Sequence, residues 1–320
     1  MNKLGKILVT GGTGFVGSYL TKRLVANGHK VTVLDNNTRG KSARLSSVMD
    51  QINYIEGDVT NYNHVSEATQ DINTVFHLAF INGTDNFYNF PEKVLEVGVK
   101  GALNTLDACM EHKVDNYVLT SSSEVYQQPV TVPTKENERL IIPDIKNPRF
   151  SYSGGKMISE LLTLHYAAKS SLKTYICRPH NFYGPDMGVG HVIPQIVNRL
   201  MTASSNYPSG EFFDFPIQGT GEETRAFCYI DDAIDGILKM VENGEAGELY
   251  HIGTQEEVDV RGLVLEIAAQ MGLKINIVKG QLLEGSTLRR CPDIEKMSAL
   301  GYLPKYNLKE GLRLTVEWYV

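Results

Sequence analysis

Lys6-Ile7-Leu8-Val9-Thr10-Gly11-Gly12-Thr13-Gly14-Phe15-Val16-Gly17 runs from a β-branched stretch through a glycine-rich corner into an amphipathic segment, Phe15 to Ala26, that stops near Gly28. Gly11 can take the backbone angles of a tight turn. Gly14 lets the main chain approach a pyrophosphate, and Gly17 lets the helix pack close to the strand. The helix N-terminus turns unpaired N–H groups towards the phosphates. Asp35 closes the second strand, 18 residues after Gly17, where a carboxylate accepts hydrogen bonds from an adenosine ribose and repels a 2′-phosphate. The expected cofactor is therefore NAD; Arg39, close by, is the feature that would suit NADP instead. Candidate cofactor contacts in this region are Gly11, Gly14, Phe15, Val16, Gly17, Asp35 and Asn36.

Outward from this corner the chain alternates short apolar runs with amphipathic stretches. Strands are expected at Lys30–Leu34, Asn53–Glu56, Thr74–Leu78, Asn116–Thr120 and Thr174–Cys177, and long helices at Pro91–Glu111 and Tyr152–Ala168. This rhythm implies right-handed βαβ units and the α/β class, a Rossmann-type doubly wound parallel sheet. After Pro185 glycine and proline become frequent, and two short strand candidates, Phe213–Gln218 and Arg225–Ile230, flank a turn at Gly219-Thr220-Gly221. We therefore expect an NAD-binding domain over residues 1–185, with a strand near 248–252 returning to its sheet. A smaller mixed α/β substrate lobe is expected over 186–320.

Composition narrows the class further. Over 320 residues, 31 Lys+Arg stand against 37 Asp+Glu, a net charge of −6 without a basic run, so no nucleic-acid or anionic-membrane footprint is present. No stretch approaches the roughly 20 apolar residues of a membrane helix. The four cysteines, Cys109, Cys177, Cys228 and Cys291, lie far apart with no CxxC, so neither a metal site nor a disulfide framework is expected and the expected location is the cytoplasm.

Tyr152 and Lys156 stand four apart on an expected helix and so project from one face. A cation beside a phenol favours the phenolate and pulls its pKa from about 10 towards neutrality. Such a tyrosine can take a proton from a sugar hydroxyl while hydride leaves the same carbon. Ser121-Ser122-Ser123-Glu124 follows the fifth strand, at the carboxyl end where ligands bind in parallel sheets. Tyr152, Lys156, Ser122 and Glu124 are the candidate catalytic set.

The chain resembles the extended short-chain dehydrogenase/reductase family, in its NAD-dependent nucleotide-sugar epimerase/dehydratase branch. The resemblance rests on Gly11–Gly17, Asp58-Val59, His77-Leu78-Ala79, Ser122-Ser123-Glu124-Val125-Tyr126, Tyr152-Ser153-Gly154-Gly155-Lys156, Arg178–Pro185, Thr224-Arg225-Ala226-Phe227 and Arg289-Arg290-Cys291-Pro292-Asp293. It implies Asp58 and Val59 at the adenine and Leu78 and Ala79 along the cofactor. It places Ser122 beside Tyr152 on the reacting hydroxyl and Lys156 on the nicotinamide ribose. Asn181, Arg225 and Arg290 would contact the substrate's diphosphate or nucleoside; Ser123 completes the candidate substrate contacts. Family members pair their two long helices across a dimer axis, so a homodimer is expected. Two departures stand out. Ser123 occupies the position of the acid in a 4,6-dehydratase, and Gly98 replaces an asparagine. A carboxylate-binding arginine of the decarboxylating relatives is not identified at this level. The expected activity is epimerisation of a nucleotide-diphosphosugar through a 4-keto intermediate, with NAD regenerated in each turnover. The alternatives are a C4 dehydrogenase that releases the ketone, a 4,6-dehydratase and a nucleotide-sensing protein without catalysis.

Overall fold

A computed structural model describes residues 4–208, 210–281 and 287–320. Seven strands form the central sheet: β1 (Ile7–Thr10), β2 (Val31–Asp35), β3 (Ile52–Glu56), β4 (Thr74–His77), β5 (Asn116–Thr120), β6 (Lys173–Pro179) and β7 (Glu248–Ile252). Their order is β7-β6-β5-β4-β1-β2-β3, and every neighbouring pair is parallel. β1 and β4 are buried at all four positions, as expected of strands covered by helices on both faces. The strand order reverses between β1 and β4, which opens a crevice at their carboxyl ends. Gly11 follows one strand and Leu78 the other, and the Leu78 N–H donates to the Thr10 carbonyl at 3.1 Å.

Helix α1 (Phe15–Ala26) begins at the glycine corner. The single long helix expected over Pro91–Glu111 is instead three pieces: an α-helical start over Pro91–Leu95, a π-helical turn over Glu96–Lys100, and α2 (Gly101–Glu111). The widened turn centres on Gly98, where the Phe80 ring lies against the bare backbone and would meet a Cβ at 2.2 Å. Helix α3 (Ser151–Ala167) carries Tyr152 and Lys156.

The second half departs further from expectation. Phe212–Pro216 pairs with Lys274–Val278, while Thr224–Ala226 pairs with Glu257–Asp259 and with Arg289–Arg290, so the two strands flanking Gly219–Gly221 do not pair with each other. A helix over Val192–Ser204 was not expected at all. Glu248–Ile252 does return to the central sheet, beside β6. One apolar core joins Val9, Phe76 and Cys177 of the sheet to Ile230, Ile237 and Leu312 of the later helices. No helix among the described residues is long and apolar enough to cross a membrane.

One buried ion pair fixes α3 against the sheet. Arg178 of β6 forks onto Glu160 of α3 at 2.8 and 2.6 Å, and Ser121 donates to the same carboxylate at 2.5 Å. Both side chains are almost wholly buried. Removing one partner leaves an uncompensated charge. Arg178→Met is therefore expected to cost about 3–5 kcal/mol in urea unfolding, with Glu160→Leu/Arg178→Met recovering a large part of the loss.

Candidate active site

Two cavities of about 480 and 520 Å³ share Gly11, Gly14, Arg39, Leu78 and Phe80 in their walls and form the two ends of one cleft. Asp35, Asn36, Asp58, Val59 and Ala79 line one end. Phe15, Val16, Gly17, Ser122, Ser123, Glu124, Tyr152, Lys156, Asn181 and Arg290 line the other. Of the expected site residues only Arg225 is missing from these walls.

The glycine corner has the geometry of a phosphate cradle. Gly11 sits at φ +72°, and a Cβ there would lie 2.7 Å from the Ala79 backbone nitrogen. A Cβ on Gly17, in the first turn of α1, would lie 2.1 Å from the Gly11 carbonyl oxygen, so the helix can pack this close to the corner only with a glycine there. At Gly14 the Gly11 carbonyl is the sole neighbour, at 3.1 Å, and the backbone faces open cleft. The Asp35 carboxylate is pinned at the rim by the Thr13 and Asn37 N–H groups, at 2.9 and 2.8 Å, leaving lone pairs for a ribose diol. Arg39 reaches away from Asp35: its guanidinium lies against Gly83 and is close enough to Tyr152 to favour the phenolate. These residues fit NAD. Among the described residues no three His, Cys, Asp or Glu side chains cluster to hold a metal.

At the other end the Tyr152 phenol shares the cavity wall with Ser122, whose hydroxyl oxygen accepts the Glu124 N–H at 3.1 Å and favours the phenolate. The Tyr152 ring stacks on Phe87, with centroids 4.9 Å apart, and meets Phe80 edge-on at 5.1 Å. Lys156 donates to the Thr120 carbonyl at 2.6 Å. The expected near-neutral phenol is not what the geometry delivers. Burial pushes the Tyr152 pKa up to about 12; the Ser122 hydroxyl and Arg39 pull it back only in part, and Glu124 opposes them. Burial also pushes Lys156 down to about 7, so its charge is weakened where sequence spacing assumed a full cation. Phe80 and Phe87 were missed, and Arg39 was read only for the cofactor's 2′ position, because their approach to Tyr152 comes from segments distant in sequence.

Glu124 and Arg290 form an ion pair at 2.5 Å. Burial works against the carboxylate, yet the Arg290 guanidinium holds it below the usual range, with Arg149 and Arg225 adding to the effect. Asn181, at φ +44°, gives its amide to the Ala226 carbonyl at 2.9 Å. Arg225, expected at the substrate, is instead spent on backbone: it donates to the Thr224 and Thr287 carbonyls at 2.7 Å each and so holds the chain leading to Arg290. Gly285 and Ser286, read with this segment, lie outside the described residues.

A family model described as the NAD dependent epimerase/dehydratase family matches residues 7–253. The chain belongs to this family. NAD is its cofactor, in agreement with the cradle and the rim carboxylate. A UDP-N-acetyl-alpha-D-glucosaminuronate decarboxylase of Bacillus cytotoxicus is 28% identical over 324 residues, covering 98% of this chain and 97% of that protein. The solved UDP-glucose 4-epimerase of Thermotoga maritima, with UDP-glucose, is 28% identical with TM-score 0.86, covering 98% of each chain. The dTDP-glucose 4,6-dehydratase DesIV of Streptomyces venezuelae, solved with NAD, is also 28% identical with TM-score 0.86, covering 98% of this chain and 96% of its own.

The Lys156 pKa ties the site to stability. Between about pH 7 and 10.5 the unfolded chain holds a proton that the folded chain has released, so this group's contribution to stability rises with pH across that window. Lys156→Met is expected to stabilise the cofactor-free protein by about 2–4 kcal/mol at pH 6, with the gain shrinking towards pH 10; urea unfolding at the two pH values measures it.

Proposed function

We propose that this chain oxidises the sugar of a nucleoside-diphosphosugar at C4 and returns it as the C4 epimer. The observation that carries the reading is that Ser122, Tyr152 and Lys156 line the same end of the NAD cleft, Lys156 one helical turn from Tyr152. Tyr152 Oη takes the proton of the C4 hydroxyl, Ser122 holds the same oxygen, Arg39 supplies positive field that favours the phenolate, and Lys156 would hold the nicotinamide ribose. NAD, when bound, accepts hydride from the carbinol carbon. Reduction from the opposite face then needs the proton back from Tyr152 Oη, and no other acid is consumed. Gly11, Gly14, Phe15, Val16 and Gly17 would hold the pyrophosphate, and Asp35, Asn36, Asp58, Val59, Leu78 and Ala79 the adenosine half. Arg290 and Asn181 would meet the substrate, with Arg225 acting through the backbone. Residues 186–320, apart from 248–252, would form the substrate lobe. Leu95, Ile158 and Leu161, apolar and exposed, support pairing of two copies along these helices.

A dehydratase outcome is disfavoured because Ser123 stands where an acid is needed and Glu124 is held ionised by Arg290. A second reading, decarboxylation of a nucleotide-linked uronic acid, gains from the same pair. Arg290 and Arg149 supply, at the Tyr152 end of the cleft, guanidinium groups suited to a carboxylate. Oxidation at C4 would make the C5 carboxylate a β-keto acid able to lose carbon dioxide. The curated relative above acts on such a substrate.

Incubation with UDP-, GDP-, CDP- and dTDP-sugars, UDP-glucuronate included, separates these outcomes. A C4 epimer without net NADH supports the proposal. A released 4-keto sugar with NADH indicates the dehydrogenase, and carbon dioxide with a pentose product the decarboxylase. Tyr152→Phe should keep the fold and NAD binding yet slow turnover by at least about 10²-fold. No turnover of any sugar would overturn the enzymatic reading.

A further inference from the structure

Phe80, just past the carboxyl end of β4, lies against Gly98, Gly155, Tyr152 and Lys156 at the reacting end. A Cβ on Gly98 would lie 2.2 Å from its Cζ and 2.4 Å from its Cε2, and a Cβ on Gly155 would lie 3.0 Å from its Cζ. Position 98 therefore carries no side chain because the ring already fills that volume. The backbone there is tied to α3 by the Ser159 hydroxyl, which donates to the Gly98 carbonyl at 3.3 Å. The ring is thus wedged between the π-helical turn and α3. It presents its edge to Tyr152 and its face to Lys156, whose Nζ lies 4.0 Å from the ring centroid.

The surroundings of that ammonium make the ring matter. Lys156 is buried, and its one hydrogen bond goes to the Thr120 carbonyl. The groups facing it are Tyr152 and Glu160 on its own helix, Cys177 on β6 and His77 on β4. Glu160 is committed to Arg178 and Ser121, and His77 is neutral, its pKa driven to about 3 by burial. No carboxylate hydrogen-bonds Lys156 among the described residues. The negative face of an aromatic ring within about 6 Å attracts a cation, most strongly when both are shielded from water.

We propose that Phe80 is a positioning residue: its ring substitutes for a side chain at position 98, offers its face to the Lys156 ammonium and holds Tyr152 aligned at the reacting end of the cleft. The proposal rests on the reading that Tyr152 and Lys156 carry the chemistry, but its test does not need turnover.

The test reads the Lys156 titration by NMR in cofactor-free protein labelled with lysine ¹³C at Cε, the resonance being assigned as the one absent from Lys156→Arg. Phe80→Leu keeps apolar volume and removes the ring face; it is expected to lower the Lys156 midpoint by about 0.5–1 pH unit. Phe80→Tyr keeps the face and is expected to leave the midpoint in place. Phe80→Met gives the same comparison if the leucine variant folds poorly. In the active enzyme, the alkaline limb of the rate profile should move down by the same amount in Phe80→Leu and stay put in Phe80→Tyr. As a second arm, Gly98→Asn should lower the thermal midpoint, and Phe80→Ala in the same chain should recover it. An unmoved Lys156 midpoint in both Phe80→Leu and Phe80→Met, or a Gly98→Asn protein as stable as the parent, overturns the proposal even where sugars are turned over. Absence of turnover with a shifted midpoint would sink only the functional reading.

Discussion

The whole site depends on two stretches of backbone passing so close that no side chain fits between them. Gly11 turns against the Ala79 backbone, and Gly17, in the first turn of α1, packs against the Gly11 carbonyl. Because these contacts are main chain on main chain, α1 enters close to the ends of β1 and β4 and its first N–H groups point into the crevice where the strand order reverses. A single Cβ at Gly11 or Gly17 would force the helix outward and close the phosphate cradle.

Burial sets the electrostatics of the opposite end. Taking a phenol and an ammonium out of water raises the first pKa and lowers the second, so both neutral forms gain. Their mutual attraction does not overcome this, since the ammonium points to a backbone carbonyl and an aromatic face. The ion pair that burial fails to suppress is Glu124–Arg290, where geometry brings a carboxylate and a guanidinium to 2.5 Å. The pocket thus holds one neutralised acid among several arginines, which suits an anionic substrate.

The two halves of the chain are joined across the cleft mouth by Arg44, which grips Asp186 through two side-chain bonds at 2.9 and 3.1 Å and reaches the Thr13 carbonyl at 3.2 Å. Tyr19 adds a bond to the Pro185 carbonyl. The glycine corner and the start of the second half are therefore mechanically linked, and a phosphate entering the cradle meets both.

Much of this was readable in advance, and the reason is local physics. The glycine spacing, the acid ending β2, the alternation of strand and helix and the four-residue Tyr152–Lys156 interval each express a constraint acting within one turn or one strand, so the parallel sheet and the NAD cleft were legible in the sequence, while Asp58, Val59, Leu78, Ala79, Asn181 and Arg290 were named only through the family resemblance. What tertiary structure alone decided were the long-range meetings: Phe80 against Gly98, Arg39 near Tyr152, Arg290 on Glu124, and Arg225 diverted to backbone carbonyls. The π-helical turn and the shifted Tyr152 and Lys156 pKa values belong with these. Each depends on which distant segment fills a given volume and how much water it removes, and no spacing along the chain encodes that.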